Sequence, residues 1–137
     1  MLTLTGNLGI DSCQGVAVFD EKMLMSLPQH QIETTTPWTE GRMRFEGILL
    51  SDLLRRVGAA NAKTLLVKAL NDYQVEIPAS DAAEFGVLLA IRMNGVRLSP
   101  RDKGPIWVVY PRDSIPRIQD ERYDHRWVWQ LNRIEVR

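Results

Sequence analysis

The sequence predicts an α+β fold made mostly of β-sheet, and three observations lead to this fold class. Segments with alternating or β-branched apolar residues outnumber helix-like segments by about three to one. The connections between these segments are mostly short and rich in turn-forming residues. The chain has 137 residues, 45% of them hydrophobic, which is enough to bury one self-sufficient core. We therefore expect one domain over residues 1–137.

Nine strands are predicted from apolar alternation and from enrichment in β-branched residues. In chain order they are Leu2–Thr5, Val16–Phe19, Gln31–Thr35, Met43–Phe45, Leu65–Ala69, Gln74–Ile77, Leu88–Met93, Ile106–Tyr110 and Trp127–Val136. The dipeptide Asn94-Gly95 lies between Met93 and Val96. It predicts a tight type I′ hairpin, because both central residues of that turn take positive φ.

Three short helices are predicted from residues that can cap a first turn or end a last one. They cover the segment from Asp20 to about Leu27, Asp52–Val57 and Ser80–Phe85. Ser51 is the expected N-cap of the second helix. Gly58 and Gly86 are the expected ends of the second and third helices, because glycine adopts left-handed geometry without strain.

Charge is balanced overall but divided along the chain. Seventeen basic and seventeen acidic side chains cancel. Residues 1–91 carry 7 basic and 11 acidic side chains (net −4), and residues 92–137 carry 10 and 6 (net +4). This division could create a positive surface for an anionic ligand, or the arginines could be scattered over solvated surface. Nucleic acid is not expected at a pI of about 6.7, and no apolar run approaches the roughly 18 residues of a membrane helix.

Patterns for metal, hydrolase and nucleotide chemistry are missing from the sequence. Cys13 is the single cysteine, so an internal disulfide and a multi-cysteine zinc site are excluded, and burial in the core is its expected role. His30 and His125 are far apart and fit no metal-binding spacing. There is no Gly-x-Ser-x-Gly, Gly-x-Gly-x-x-Gly or Walker-type motif.

Five groups of residues occur in an order shared with a known family. They are Phe45–Leu54, Leu70–Tyr73 with Val75–Pro78, Leu88–Ala90 with Asn94–Leu98, Gly104–Pro111, and Arg126–Val128 with Ile134–Val136. In this order the chain resembles the molybdopterin-binding domain of the sulfite oxidase family. The resemblance covers nearly the whole chain and implies a mixed β-sheet fold with three short helices over its surface.

The chain departs from the family at the position of the molybdenum-ligating cysteine, which would fall near Thr34–Thr36. A threonine hydroxyl has a far higher pKa than a thiol and does not replace a thiolate as a soft metal ligand at neutral pH. We therefore expect a non-catalytic module with no cofactor. The alternative is a molybdopterin-dependent oxidoreductase in which oxygen ligands or water complete the metal sphere.

Seven residues are predicted to form a binding pocket. They are Thr35, Thr36, Trp38, Asp72, Tyr73, Arg112 and Arg126. The threonines would donate hydroxyl hydrogen bonds, the aromatic residues would form apolar walls, and an arginine would supply positive charge. The resemblance places the Asn71–Tyr73 turn near the cofactor pocket, although a plain β-turn also explains it. The other tryptophans, Trp107, Trp127 and Trp129, are predicted to pack in the strand core.

The longest predicted irregular segment runs from Pro111 to Asp124 and is our candidate for a lid or a partner surface, because loops of this length are usually functional or mobile. Its arginines, together with Arg126, could bind phosphate or carboxylate, or they could pair with acids of the same loop. The arginines are Arg112, Arg117, Arg122 and Arg126, and the acids are Asp113, Asp120, Glu121 and Asp124.

We expect the domain to act as a sensor or accessory module that binds a small anionic ligand or a protein partner, such as a signalling protein. A further alternative is a scaffold whose open strand edges recruit another chain. The chain starts with strand-like residues and without a signal-peptide pattern. It is therefore expected to be cytosolic or to have lost a signal peptide, and the export of many domains in the family it resembles favours a bacterial periplasmic location.

Overall fold

The computed structural model describes residues 2–8, 15–59, 61–101 and 103–137. The strands formed by these residues are β1 (Leu2–Gly6), β2 (Val16–Phe19), β3 (His30–Thr34), β4 (Met43–Leu49), β5 (Thr64–Ala69), β6 (Gln74–Pro78), β7 (Leu88–Met93), β8 (Val96–Arg97), β9 (Trp107–Val109) and β10 (Leu131–Val136). The helices are α1 (Glu21–Met25), α2 (Leu50–Arg56), α3 (Ser80–Phe85) and α4 (Glu121–Asp124). Within the described ranges, no helix has the length and apolar character needed to cross a membrane.

Two five-stranded sheets carry the fold. The first has the order β2-β1-β10-β5-β6, with β1 and β10 parallel and the other neighbours antiparallel. The second has the order β3-β4-β7-β8, β9 also pairs with β7, and these pairs are all antiparallel. The structure thus contains both parallel and antiparallel strand pairs together with short helices. This confirms the predicted α+β class with a mixed, mostly β-sheet fold.

Strand patterns explain where the core lies. In β5, Leu65, Val67 and Ala69 are buried while the alternate side chains are half-exposed, so this strand covers the core with one face. In β7, the four residues 88–91 are all buried, as expected for a strand covered on both faces. The buried apolar residues form one contiguous cluster, and Phe45, Trp107 and Tyr110 are its bulkiest fully buried side chains.

Two predicted helices and the predicted hairpin are confirmed in detail. The carboxylate of Asp20 accepts the N–H of Met23 at 2.7 Å and caps α1. Helix α3 ends at Gly86, whose φ is 67°. In the turn between β7 and β8, Asn94 and Gly95 have φ of 53° and 82°, which is the positive-φ pair that favours this turn.

Helix α2 begins two residues earlier than predicted, and Ser51 is not its cap. The N-cap is Leu49, which makes no side-chain capping bond. Instead, the N–H of Leu50 donates to the carbonyl of Val87 at 2.9 Å. The chain leading into β7 therefore satisfies a first-turn donor that a capping side chain would otherwise take.

The segment before β10 differs most from the prediction. Residues Trp127 to Gln130 do not extend the strand, because Gln130 has a φ of 55° and interrupts the extended backbone. The stretch predicted as irregular is also partly ordered, with 3₁₀ turns at Arg112–Ser114 and Pro116–Ile118 followed by α4. The carboxylate of Asp120 caps α4 by accepting the N–H of Arg122 at 2.9 Å. This local order places the tryptophans next to a pocket.

Candidate functional site

A pocket with a volume of about 240 Å³ opens between three segments of the chain, and we call it the tryptophan pocket. The three segments are the turn after β3, the β5–β6 hairpin and the residues that precede β10. Its lining residues are Trp38, Ala69, Asn71, Tyr73, Asp124, His125, Trp127, Val128 and Trp129. No lysine or arginine is among them.

Trp38 forms one wall because its turn is held by threonine hydroxyls. The N–H of Trp38 donates to Oγ1 of Thr36 at 3.1 Å, and the hydroxyls of Thr36 and Thr39 lie 2.8 Å apart. The ring of Trp38 then packs edge-on or tilted against other rings. Its centroid lies 6.3 Å from that of Trp107, 5.8 Å from that of Trp127 and 5.3 Å from that of Trp129.

The β5–β6 hairpin supplies the wall at the pocket mouth. Asp72 has a φ of 70°, and Oδ1 of Asn71 accepts the N–H of Tyr73 at 3.1 Å, which is an Asx-turn. The hydroxyl of Tyr73 donates to the carbonyl of His125 at 3.3 Å and ties the hairpin to the segment before β10. Asp72 is exposed and does not line the pocket, so the turn contributes Asn71 and Tyr73 instead.

A buried network anchors the segment that carries Trp127 and Trp129. The carboxylate of Asp81, 3% exposed, accepts the hydroxyl of Tyr110 at 2.8 Å and Nη1 of Arg126 at 2.7 Å. Burial, followed by the charge of Asp81, raises the pKa of Tyr110, so the phenol stays protonated. Arg126 thus pairs with a carboxylate of α3, and it does not line the tryptophan pocket.

The threonine segment, Thr34–Thr36, is tied to the 3₁₀ turn that contains Asp113. Oγ1 of Thr34, which is fully buried, accepts the N–H of Asp113 at 3.0 Å and donates to the carbonyl of Thr35 at 3.0 Å. Asp113 in turn accepts the hydroxyl and the N–H of Thr35 at 2.5 and 3.0 Å. The hydrogen bond from the Thr35 hydroxyl holds the pKa of Asp113 below its usual range, and the charges of Arg42 and Arg112 add to this effect.

These contacts do not suit the threonine segment to hold molybdenum in the way a cysteine would. Each hydroxyl has a single hydrogen and already bonds to protein atoms. Within the ranges the structure describes, no group of three or more His, Cys, Asp or Glu side chains could hold a metal ion. Cys13, the only thiol and an expected core residue, lies outside the described residues.

Three of the four arginines from Arg112 to Arg126 form ion pairs with other residues that the structure describes. Arg117 pairs with Glu84 and Arg122 with Asp120, as Arg126 does with Asp81. Only one of these partners, Asp120, belongs to the same loop. Nε of Arg112 and Nε of Arg126 are both buried and have no hydrogen-bond partner among the described residues.

The seven predicted site residues therefore occupy different places. Trp38 and Tyr73 meet in the tryptophan pocket, Thr36 holds the turn of Trp38, and Thr35 lies with Arg112 around Asp113. The sequence analysis did not identify Asp124, Trp127 and Trp129 as lining residues. The apolar alternation of Trp127 to Trp129 was explained by strand packing, and no sequence signal marks the turn at Gln130 that redirects them.

Comparison with known proteins identifies the family to which this chain belongs. The family model described as "Oxidoreductase molybdopterin binding domain" matches residues 16–136, and the chain belongs to that family. The crystal structure of the sulfane dehydrogenase SoxCD from Paracoccus pantotrophus is similar, with a TM-score of 0.72 and 20% sequence identity. The match covers 98% of this chain and 37% of that chain, so this chain spans just over a third of that length. No curated protein matches the sequence.

Proposed function

We propose that this domain is a non-catalytic module that binds a small ligand in the tryptophan pocket. The observation that carries the proposal is the pocket wall itself, in which Trp38, Tyr73, Trp127 and Trp129 converge from three segments of the chain. Concave sites with aromatic walls and a few polar groups are the usual binding sites for small molecules. The polar groups here come from Asn71 and from the two residues Asp124 and His125.

The pocket volume limits the ligand. Sites for drug-sized ligands usually have volumes of about 300–1,000 Å³, and this pocket has about 240 Å³. A molecule of a few heavy atoms, or the end group of a larger molecule, therefore fits better than a complete pterin cofactor. The size supports a ligand-binding role that does not depend on the cofactor of the family.

The non-catalytic part of the proposal is supported by the threonine segment. An oxidoreductase of this family would need a soft ligand there for its metal, and the hydroxyls of Thr34, Thr35 and Thr36 are instead used in hydrogen bonds within the protein. The hydroxyl of Thr35 has one hydrogen, and that hydrogen is already used in the hydrogen bond to Asp113. It could donate to an external anion only after that bond is broken.

The anionic ligand expected from the sequence would not bind in the tryptophan pocket, because the arginines predicted to contact it lie elsewhere. Neither Arg112 nor Arg126 lines the tryptophan pocket, and Nη1 of Arg126 already donates to Asp81. In the part of the chain that the structure describes, Nε of both arginines is buried without a hydrogen-bond partner. Arg112 is the better candidate for an anion, because Arg126 is already held by Asp81. An anionic ligand thus stays a prediction for the surroundings of Arg112 and Asp113.

The proposal is tested by tryptophan fluorescence, because three of the four tryptophans line the pocket. The purified domain is titrated with indole, tetramethylammonium chloride, sodium sulfate and sodium acetate. We expect at least one probe to change the emission and to raise the melting temperature by mass action. The replacement Trp129→Leu should weaken this response, whereas Val18→Ala, on the exposed edge of the first sheet, should leave it unchanged.

The enzyme alternative is tested on protein purified from its native host. Molybdenum is measured by elemental analysis, and released pterin by its fluorescence. Near-stoichiometric amounts of both, with turnover of an oxo-transfer substrate, would overturn the non-catalytic proposal. Failure of every probe to bind, or an equal response from the Trp129→Leu variant, would overturn the assignment of the pocket.

A further inference from the structure

We infer that the tryptophan pocket recognises a methylated ammonium group, that is, the cationic head of a quaternary or tertiary amine. This inference rests on the proposed function and adds the charge and chemical class of the ligand. Three observations carry it: the charge of the lining residues, the arrangement of the aromatic rings, and the scarcity of hydrogen-bonding groups.

The lining residues favour a positive ligand. Among the described residues, the lining includes the carboxylate of Asp124 and no lysine or arginine. Oδ1 of Asp124 is buried and has no hydrogen-bond partner among the described residues. A buried carboxylate oxygen without a partner is costly, and a nearby cation offsets that cost.

The aromatic rings supply the second contribution. A cation within about 6 Å of an aromatic ring centroid is attracted by the negative face of the ring, most strongly with tryptophan. Nζ of Lys103 lies 5.4 Å from the ring centroid of Trp107 and 5.6 Å from that of Trp129, so the ring of Trp129 already contacts a cation and the attraction of a ligand relies on the other rings. Trp38, Trp127 and Tyr73 add three further rings to the pocket wall.

The apolar character of the wall selects among cations. Ala69 and Val128 line the pocket together with the rings, so a bound group meets few hydrogen-bond acceptors. A primary ammonium has three N–H donors and is strongly hydrated, and it would lose more water contacts than this pocket replaces. A quaternary ammonium has no N–H donor, presents methyl groups to the rings, and is recognised in other proteins by aromatic cages.

An anion is disfavoured at the same place. It would face the carboxylate of Asp124, and the two arginines predicted to bind an anion, Arg112 and Arg126, do not line the pocket. Like charges close together in a site shielded from water repel each other. The pocket and the surroundings of Arg112 therefore differ in the sign of the ligand that each one favours.

The test compares choline with the neutral alcohol in which carbon replaces the choline nitrogen, so that shape is kept while charge is removed. Binding is measured by calorimetry and by tryptophan fluorescence. We expect choline and tetramethylammonium to bind at least about tenfold more tightly than the neutral alcohol and than ammonium chloride. The replacement Asp124→Asn should weaken choline binding by about tenfold and leave the affinity for the neutral alcohol unchanged.

Two controls keep the test informative. Asp72→Asn removes an exposed carboxylate of the neighbouring hairpin that does not line the pocket, so it should leave choline binding unchanged. Trp38→Phe keeps a ring for packing and should weaken choline binding, because phenylalanine attracts cations less strongly than tryptophan.

The possible failures are distinguishable. Equal affinity for choline and for its neutral counterpart, or unchanged choline binding in Asp124→Asn, would overturn the inference about charge and leave the pocket as a site for neutral ligands. Sulfate or acetate displacing choline from the pocket would also overturn it. If no probe of either charge binds, the proposed function fails together with the inference.

Discussion

The tryptophan pocket and the threonine segment are joined through Trp38, and they differ in how their polar groups are satisfied. In the threonine segment, the hydroxyls of Thr34, Thr35 and Thr36 are all used within the protein. In the pocket, aromatic surface is open, and a carboxylate oxygen of Asp124 lacks a hydrogen-bond partner among the described residues. In the threonine segment, where the family resemblance implies a metal ligand, the hydroxyls are thus used in hydrogen bonds within the protein. The surface open to a ligand is in the neighbouring tryptophan pocket.

The largest effect is expected from the anchor of the pocket. Asp81→Asn removes the charge that pairs with Arg126, and breaking a buried ion pair by removing one partner costs about 3 kcal/mol of stability. Urea unfolding measures this loss, and choline binding should fall as well because the segment before β10 loses its anchor. Tyr110→Phe, which keeps the ion pair and loses one hydrogen bond to Asp81, should cost about 1 kcal/mol. An equal loss in the two variants would contradict the role given to the ion pair.

A smaller loss is expected in the threonine segment. Thr34→Val keeps the shape of a fully buried side chain but leaves the N–H of Asp113 without its acceptor, which costs about 1–3 kcal/mol. The free energy of unfolding should fall while choline affinity stays unchanged, and this combination would sharpen the difference between the two regions. Thr34→Ser, which keeps the hydroxyl, serves as the matched control. Lost affinity in a folded Thr34→Val variant would show that the regions act as one site.

The pH dependence of stability provides a third test. The folded-state pKa of Asp113 is lowered, first by the hydrogen bond from the hydroxyl of Thr35. A carboxyl group of this kind stabilises the fold above its unfolded pKa of about 3.9, and this stabilisation is lost as the pH falls through the lower folded-state value. Asp113→Asn should therefore be less stable than the wild type at pH 7, and the difference should shrink below about pH 4. A constant difference from pH 7 to pH 3 would mean that charge is not involved.

The smallest effect is expected at the pocket mouth. Tyr73→Phe removes the hydrogen bond from the Tyr73 hydroxyl to the carbonyl of His125, which is exposed and 3.3 Å long. We expect a stability change below about 0.5 kcal/mol and nearly full ligand binding, because the ring remains. Tyr73→Ala removes the ring and should reduce binding clearly. Equal binding by the alanine variant would exclude Tyr73 from the pocket wall.

The sequence predicted those features of the fold that depend on neighbouring residues. Strand alternation, the capping role of Asp20, the end of α3 at Gly86 and the Asn94-Gly95 hairpin are all local patterns, and each is confirmed. The start of α2 was misplaced because its first N–H bonds to Val87, which lies far along the chain. Sequence patterns do not show a partner of this kind.

The site was harder to predict for the same physical reason. Trp38 and Tyr73 were predicted as apolar walls of a binding site, and the structure places both in the lining of the tryptophan pocket. Arg126 was predicted to contact a ligand, but it pairs with Asp81 on α3. Asp81 is distant in sequence, so the residues around Arg126 do not indicate this partner. The charge of Asp124 became important only once the fold placed it beside three tryptophans.

The parallel pairing of β1 with β10 has a consequence for biosynthesis. Thr3 lies opposite Arg133, and β10 separates β1 from β5 in the first sheet. On the ribosome, β1 and β5 therefore emerge with unpaired edges and wait for nearly the whole domain to be translated before the strand between them arrives. Such long-range closure slows folding and exposes nascent chains to aggregation, so expression yield should depend on chaperone supply and on low temperature during translation.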